Sequence, residues 1–435
     1  MQTIDLRIDA GWIVPIEPHG VFTGHALLID AGRVVAMLPC AEASRSFAER
    51  ERVVLPNHAL MPGMINAHTH AAMSLFRGIA EDVPLQVWLE QLIWPREARF
   101  VTPEFIYDGT LLAAIEMLKG GVTCFNDMYF YPAAAARASL DAGIRSMLGI
   151  VVLDFPTPYA AHPDAYLEEG FAVRDEFRST PGLYFALAPH APYTVSDPVW
   201  EKIVMYAREL QLPIHTHVAE TAQEVAQSRK QYGETPLHRL HRLGATGPGL
   251  TAVHAVHLDE ADIELLATHG GSVAHCPISN MKLASGIAPI ADLTRRGVNV
   301  ALGTDSAASA NRLDILGEMR TASLLAKVAT SDAAVLNAPQ ALTMATLGGA
   351  RALGLDDHLG SLLPGKDADV VAIDLSAPDV RPCYDILSHL VHVAGSERVS
   401  DVWIRGRRVL ADRTLTTIDE ASLLARTNLW QERLQ

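Results

Sequence analysis

The residues best suited to chemistry in this chain are imidazoles and carboxylates standing at the ends of apolar runs. His68 and His70 close the run "ALMPGMINAHTH" and alternate with Thr69, so in a strand both rings project to one side. Two neutral imidazoles at that separation can reach one divalent ion, although an H-x-H pair by itself fits two ordinary hydrogen-bonded histidines equally well. His217 in "PIHTHVAE" offers a third nitrogen and Asp305 in "VNVALGTDS" an oxygen. Three histidines and one aspartate suit zinc, with iron(II) as second choice, and leave a position for water. A single ion is the simpler reading, because "LYFALAPH" holds no lysine that could bridge two.

Glu220 lies three residues after His217, where a carboxylate can exchange protons with water at the ion or serve as a first-turn helix acid. His254 in "LTAVHAVHL" is assigned to the site, whereas His275 in "GSVAHCPISN" fits a site and a core position equally. His215 and His257 read as structural, and Met73, Met128 and Met281 fit packing against apolar neighbours.

These groups need a scaffold that brings distant run ends together. Eight apolar runs alternate with helix-like segments: "ALMPGMINAHTH", "GVTCFNDM", "IRSMLGIVVLD", "LYFALAPH", "PIHTHVAE", "LTAVHAVHL", "GSVAHCPISN" and "VNVALGTDS". That alternation predicts an α/β fold, a (β/α)8 TIM barrel with its site at the C-terminal ends of the strands. An open doubly wound sheet is the alternative, but no G-x-G-x-x-G turn is present. The two chain ends read as short strands with turns, which predicts a small composite β-sandwich domain. The expected divisions are 1–58 for its N-terminal part, 59–365 for the barrel, and 366–435 for its C-terminal part plus a terminal helix. The long connection Ala71–Thr102 follows the first strand and should lie beside the site.

Composition narrows the partners. A net charge of −15 over 435 residues argues against nucleic acid, and no apolar stretch is long enough to span a bilayer. Four scattered cysteines and a start without a basic, then apolar, leader predict a cytoplasmic protein. H-E-x-x-H, G-x-S-x-G, the phosphate-binding G-x-x-x-x-G-K-[ST] loop and the P-C-x-x-C zinc signature are all absent.

The motifs "PGMINAHTH", "FRGIAEDVPLQVWLEQLIWPRE", "APHAPYT", "HVAE", "HCPISNMKLASGIAP", "GTDS" and "GSLLPGKDADVV" together resemble the amidohydrolase superfamily. Within it the chain is similar to the 5'-methylthioadenosine/S-adenosylhomocysteine deaminases. The resemblance implies zinc-dependent hydrolysis of the 6-amino group of a nucleoside, with zinc on His68, His70, His217 and Asp305. It implies Glu220 as proton shuttle, His254 and Asp305 as groups that orient water, and Glu97 and His190 as substrate contacts. A homo-oligomer is the expected state. Members that hold the homocysteine carboxylate often carry an arginine around the third strand, and after Arg145 this chain reads "SMLGIVVLDF". Arg145 itself reads as structural, and the departure favours methylthioadenosine or adenosine over S-adenosylhomocysteine. Alternatives are a guanine or oxidised-purine deaminase, a triazine chlorohydrolase, or a barrel without catalysis that serves a structural role.

Overall fold

The computed structural model describes residues 2–435. Eight parallel strands form one sheet in chain order: β1 (Met64–Thr69), β2 (Val122–Asp127), β3 (Arg145–Val152), β4 (Leu183–Pro189), β5 (Ile214–Val218), β6 (Leu250–His254), β7 (Ser272–His275) and β8 (Asn299–Leu302). Each corresponds to one of the eight apolar runs. The runs are continuous in the sequence because strands of a barrel are covered on both faces, outside by helices and inside by one another. Small side chains (Ala67, Cys124, Ala186, Ala274, Ala301) fill the interior together with Ile65, Met147 and Val253.

Closure between β8 and β1 uses side chains as well as backbone. The Asn66 amide donates to Thr304 Oγ1 at 2.8 Å, and its oxygen accepts from Thr304 N at 3.1 Å. The N–H groups of Thr304 and Asp305 both donate to the carbonyl of His68, at 3.1 and 3.0 Å. Gly303 makes this approach possible, since a Cβ there would lie 2.9 Å from His68 Cβ and 3.0 Å from Cys276 Sγ. Closing the barrel therefore also sets Asp305 against His68.

Both chain ends join in a second, nine-stranded sheet. Gln2–Ile13 pairs in parallel with Phe47–Pro62, which pairs antiparallel with Val370–Asp374, and Val399–Ile404 and Arg407–Ala411 continue the order. Leu6, Ile8 and Ile29 from one end share a core with Val370 and Trp403 from the other. Phe47–Pro62 carries the sheet to Pro62, across the 58/59 division, and leads through Gly63 into β1. The terminal helix Glu420–Leu434 packs on the barrel instead: Trp430 Nε1 and Arg426 Nε both donate to the buried Asp108 of helix Pro103–Lys119.

Arg145 has the structural place expected of it. Its guanidinium is buried at the start of β3 and bonds Asp369 at 2.7 Å and Asp367 at 2.8 Å, linking the barrel to the segment that enters the sheet. The connection Ala71–Thr102 has structure of its own: a 3-10 turn (Ala71–Phe76), a π-helical turn (Trp88–Ile93) and the helix Trp94–Phe100. Lys282 fastens it from outside, with Nζ 2.9 Å from Glu81 Oε2.

Candidate active site

The strand ends converge on one buried cluster. His68 and His70 come from the end of β1, His217 from β5, His254 from β6, and Asp305 from just past β8. Nε2 of His68 and Nε2 of His217 are 3.3 Å apart, and Asp305 Oδ1 is 3.4 Å from His68 Nε2 and 3.3 Å from His70 Nε2. Ligand atoms of His68, His70 and Asp305 form one group within 4.8 Å of one another, and those of His68, His217 and His254 form a second. His254 thus shares a group with two of the four residues singled out for a metal.

The outer ring nitrogens explain why the inner ones point inward. His70 Nδ1 donates to Met128 O at 2.6 Å and His217 Nδ1 to His190 O at 2.7 Å. His68 Nδ1 is 2.9 Å from His215 Nε2. With Nδ1 committed as a donor, the Nε2 of His217 presents a lone pair to the centre, while the Nε2 of His70 faces Asp305 Oδ1. The Nε2 atoms of His68 and His217 at 3.3 Å, with Asp305 Oδ1 about as close to His68 and His70, make a nitrogen–oxygen donor set that fits a zinc-like ion. Burial holds His68 down at about 3 and His217 well below the ordinary imidazole value, which keeps both neutral. Burial also lowers His70, but the hydrogen bond and charge of Asp305 outweigh it and raise this ring. Asp305, despite its burial, is held well below the usual carboxylate range by the His68 and His70 contacts. A divalent cation takes over such an imidazole–carboxylate pairing by displacing the shared proton. Ser279 Oγ and Ser309 Oγ donate to Asp305 Oδ2 at 2.6 and 2.8 Å, fixing the carboxylate.

Backbone strain gathers at the same place. Ala219, His254, Ala255 and Asp305 all have left-handed φ values, of 51, 66, 50 and 59°. Such conformations in non-glycine residues persist only where surrounding contacts enforce them.

Glu220 faces the cluster, with Oε2 3.7 Å from His254 Nε2 and Oε1 3.3 Å from Ser285 Oγ. Burial raises its carboxyl above the usual range. His254 donates from Nδ1 to Asn280 Oδ1 at 2.8 Å, which leaves its Nε2 as an acceptor toward the centre. Glu97 accepts from Tyr129 Oη at 2.7 Å and is also raised by burial. His190 is lowered to about 3 by burial and bonds Thr194 Oγ1 at 3.1 Å. All eight residues expected at the site, except His68, line one pocket, which Trp88, Trp94 and Phe155 flank with apolar rings. His68 lies behind it, fully buried. Leu85, Trp88, Leu89, Ile93 and Trp94 come from the long connection, so the chain covers its own site.

A wider cavity of about 830 Å³ opens beyond Tyr193 and Phe155. Gln86, Gln223, Gln227 and Gln231 stand on its wall, and its arginine, Arg239, is engaged by Asp197 at 2.6 Å.

Several partners are not evident from residue type. His215, read as structural, is the group that holds His68. Tyr129, Asn280, Ser279 and Ser309 each fix one site residue, and only their positions just past strand ends could have drawn notice. His275 is buried away from the pocket lining, and its Nδ1 has no hydrogen-bond partner among the described residues. His257 bonds Ser285 O at 2.6 Å. Met73 and Met128 do pack at the pocket, whereas Met281 is half exposed.

The profile of the Amidohydrolase family matches residues 59–409. A 5-methylthioadenosine/S-adenosylhomocysteine deaminase of Teredinibacter turnerae is 46% identical over 99% of this chain and 98% of its own length. An adenosine deaminase from Xanthomonas campestris, solved with bound zinc, superposes with a TM-score of 0.98 at 49% identity, covering 100% of this chain and 99% of that one. The zinc complex of an atrazine chlorohydrolase from Arthrobacter aurescens, at 24% identity, has a TM-score of 0.91 over 98% of this chain and 99% of its own, a likeness of fold. Among the described residues no helix is long and apolar enough to cross a membrane.

Proposed function

Because the chain belongs to the amidohydrolase family, we propose that it removes the 6-amino group of an adenosine-type nucleoside by zinc-dependent hydrolysis. The observation that carries this reading is the facing of Glu220 and His254 across 3.7 Å beside the His68–His70–His217–Asp305 donor set. The deaminases similar to it, one solved with zinc, support the same chemistry.

His68, His70, His217 and Asp305 would hold the ion. When bound, zinc acts as a Lewis acid that makes water a nucleophile near neutral pH. Glu220 carries a proton to N1 of the adenine ring, which makes C6 electrophilic, and its raised carboxyl keeps that proton available closer to neutrality. His254 Nε2 and Asp305 accept and orient the proton of the attacking water. Water adds across the N1–C6 bond, the proton taken from it passes to the amino group, which leaves as ammonia, and the C6 hydroxyl returns its proton to Glu220 to give the 6-oxo nucleoside. Trp88, Trp94 and Phe155 exclude bulk water from the reacting ring.

Glu97 with Tyr129 binds the ribose hydroxyls and His190 contacts the nucleoside. The arginine on the outer cavity is already paired with Asp197, which leaves no free guanidinium there among the described residues for the homocysteine carboxylate, so methylthioadenosine ranks ahead of S-adenosylhomocysteine. Glu97→Gln removes a charged acceptor, so KM for methylthioadenosine should rise by about 10-fold or more with kcat little changed. Steady-state kinetics check this; an unchanged KM would remove the ribose contact and favour a free-base deaminase. We also read the protein as cytoplasmic, with its four cysteines unpaired, and as a homo-oligomer, for which exposed Leu324 and Val328 offer apolar surface.

A further inference from the structure

We infer that Glu224 is a positioning residue for Glu220, holding the turn that carries the proton shuttle through two backbone hydrogen bonds. Glu224 is buried in the first turn of the helix Ala222–Tyr232. Thr221 caps that helix, its Oγ1 accepting from Glu224 N at 3.1 Å. In a capping box the acid at this place would return to the N–H of the capping residue itself. Glu224 reaches further back than that: Oε1 accepts from Ala219 N at 2.9 Å and Oε2 from Glu220 N at 2.8 Å. Each oxygen therefore accepts from an N–H of the turn that follows β5.

That turn needs holding. Ala219 sits at a φ of 51°, which a non-glycine residue adopts only under constraint. Its carbonyl is gripped from the other side by the N–H groups of Val256 and His257, at 3.1 and 2.9 Å, on the segment that follows His254. Glu224 completes the clamp by fixing the backbone from which the Glu220 side chain springs, so that its carboxyl reaches Ser285 Oγ and His254 Nε2. Without Glu224, two buried N–H groups lose their acceptors and the turn can relax. A shift of about 1 Å in a reacting group can cost about 10²-fold in rate.

The inference rests on Glu220 acting as the proton carrier proposed above. Its test is a double-mutant cycle on the zinc-loaded full chain with methylthioadenosine as substrate. Glu224→Ala should lower kcat by about 10²-fold, with KM and bound zinc within about twofold of wild type. Glu224→Gln keeps one acceptor oxygen and should lose less, about 10-fold, which also serves if the alanine variant folds poorly. In a Glu220→Gln background either change should cost less than about twofold more, because the group being positioned is already disabled. Losses that multiply in the double variant would overturn the inference, as would a fall in zinc content that parallels the fall in kcat. A wild-type protein that releases no ammonia would count against the proposed function and take this inference with it; an active wild type with unaffected Glu224 variants would remove the inference alone.

Discussion

Glu220→Gln should yield a folded, zinc-loaded protein whose kcat on methylthioadenosine is lower by about 10³-fold, within the range by which a lost general acid–base group slows an enzyme. The substitution keeps the shape of the side chain and its approach to Ser285 and His254 while removing the group that takes up and releases a proton. Glu220 is not among the close-packed donor atoms of the His68–His70–Asp305 group, so the metal should stay. The check is kcat beside metal analysis of the same sample. Activity within tenfold of wild type would mean that another group carries the proton, and lost zinc would mean that Glu220 helps bind the ion.

Asp305→Ala should have an effect as large by a different route. Asp305 is the one carboxylate in the proposed donor set, and it is buried beside two imidazoles. Removing it leaves three neutral nitrogens and no negative charge to offset a divalent ion in a site of low dielectric. Zinc affinity should fall by more than the 10–100-fold that loss of a mere supporting partner costs. Activity should fall with it and recover only in part at high zinc. Chelator competition measures the affinity. Tight zinc in the variant would move the binding centre toward the His68–His217–His254 group.

Much of the architecture was legible because a barrel strand is buried on both faces. Runs such as "LYFALAPH" and "VNVALGTDS" are therefore mostly apolar along the strand, and the polar residue at the end of each marks where the fold places chemistry. What stayed hidden was pairing over distance. Nothing in "INAHTH" announces that Asn66 will bond Thr304 and so set Asp305 beside His68. His215 looked like a core histidine because its role depends on the rotamer of His68, which only packing decides. Glu97 resembles any acid on a solvated helix until Tyr129, from beyond β2, is seen to donate to it. Glu224 likewise reads as an ordinary first-turn acid, since the direction in which its carboxylate turns is set by the strained backbone at Ala219. The terminal helix was foreseen, but its docking on Asp108 joins residues more than three hundred positions apart.

The central claim is that this pocket hydrolyses the 6-amino group of a nucleoside with zinc in place. It is tested most directly by measuring ammonia and the 6-oxo nucleoside released from methylthioadenosine as zinc is titrated into chelator-treated protein. The account predicts one ammonia per 6-oxo product, with the rate rising in step with zinc and levelling near one ion per chain. Stoichiometric zinc with no ammonia from methylthioadenosine, adenosine or S-adenosylhomocysteine would contradict it.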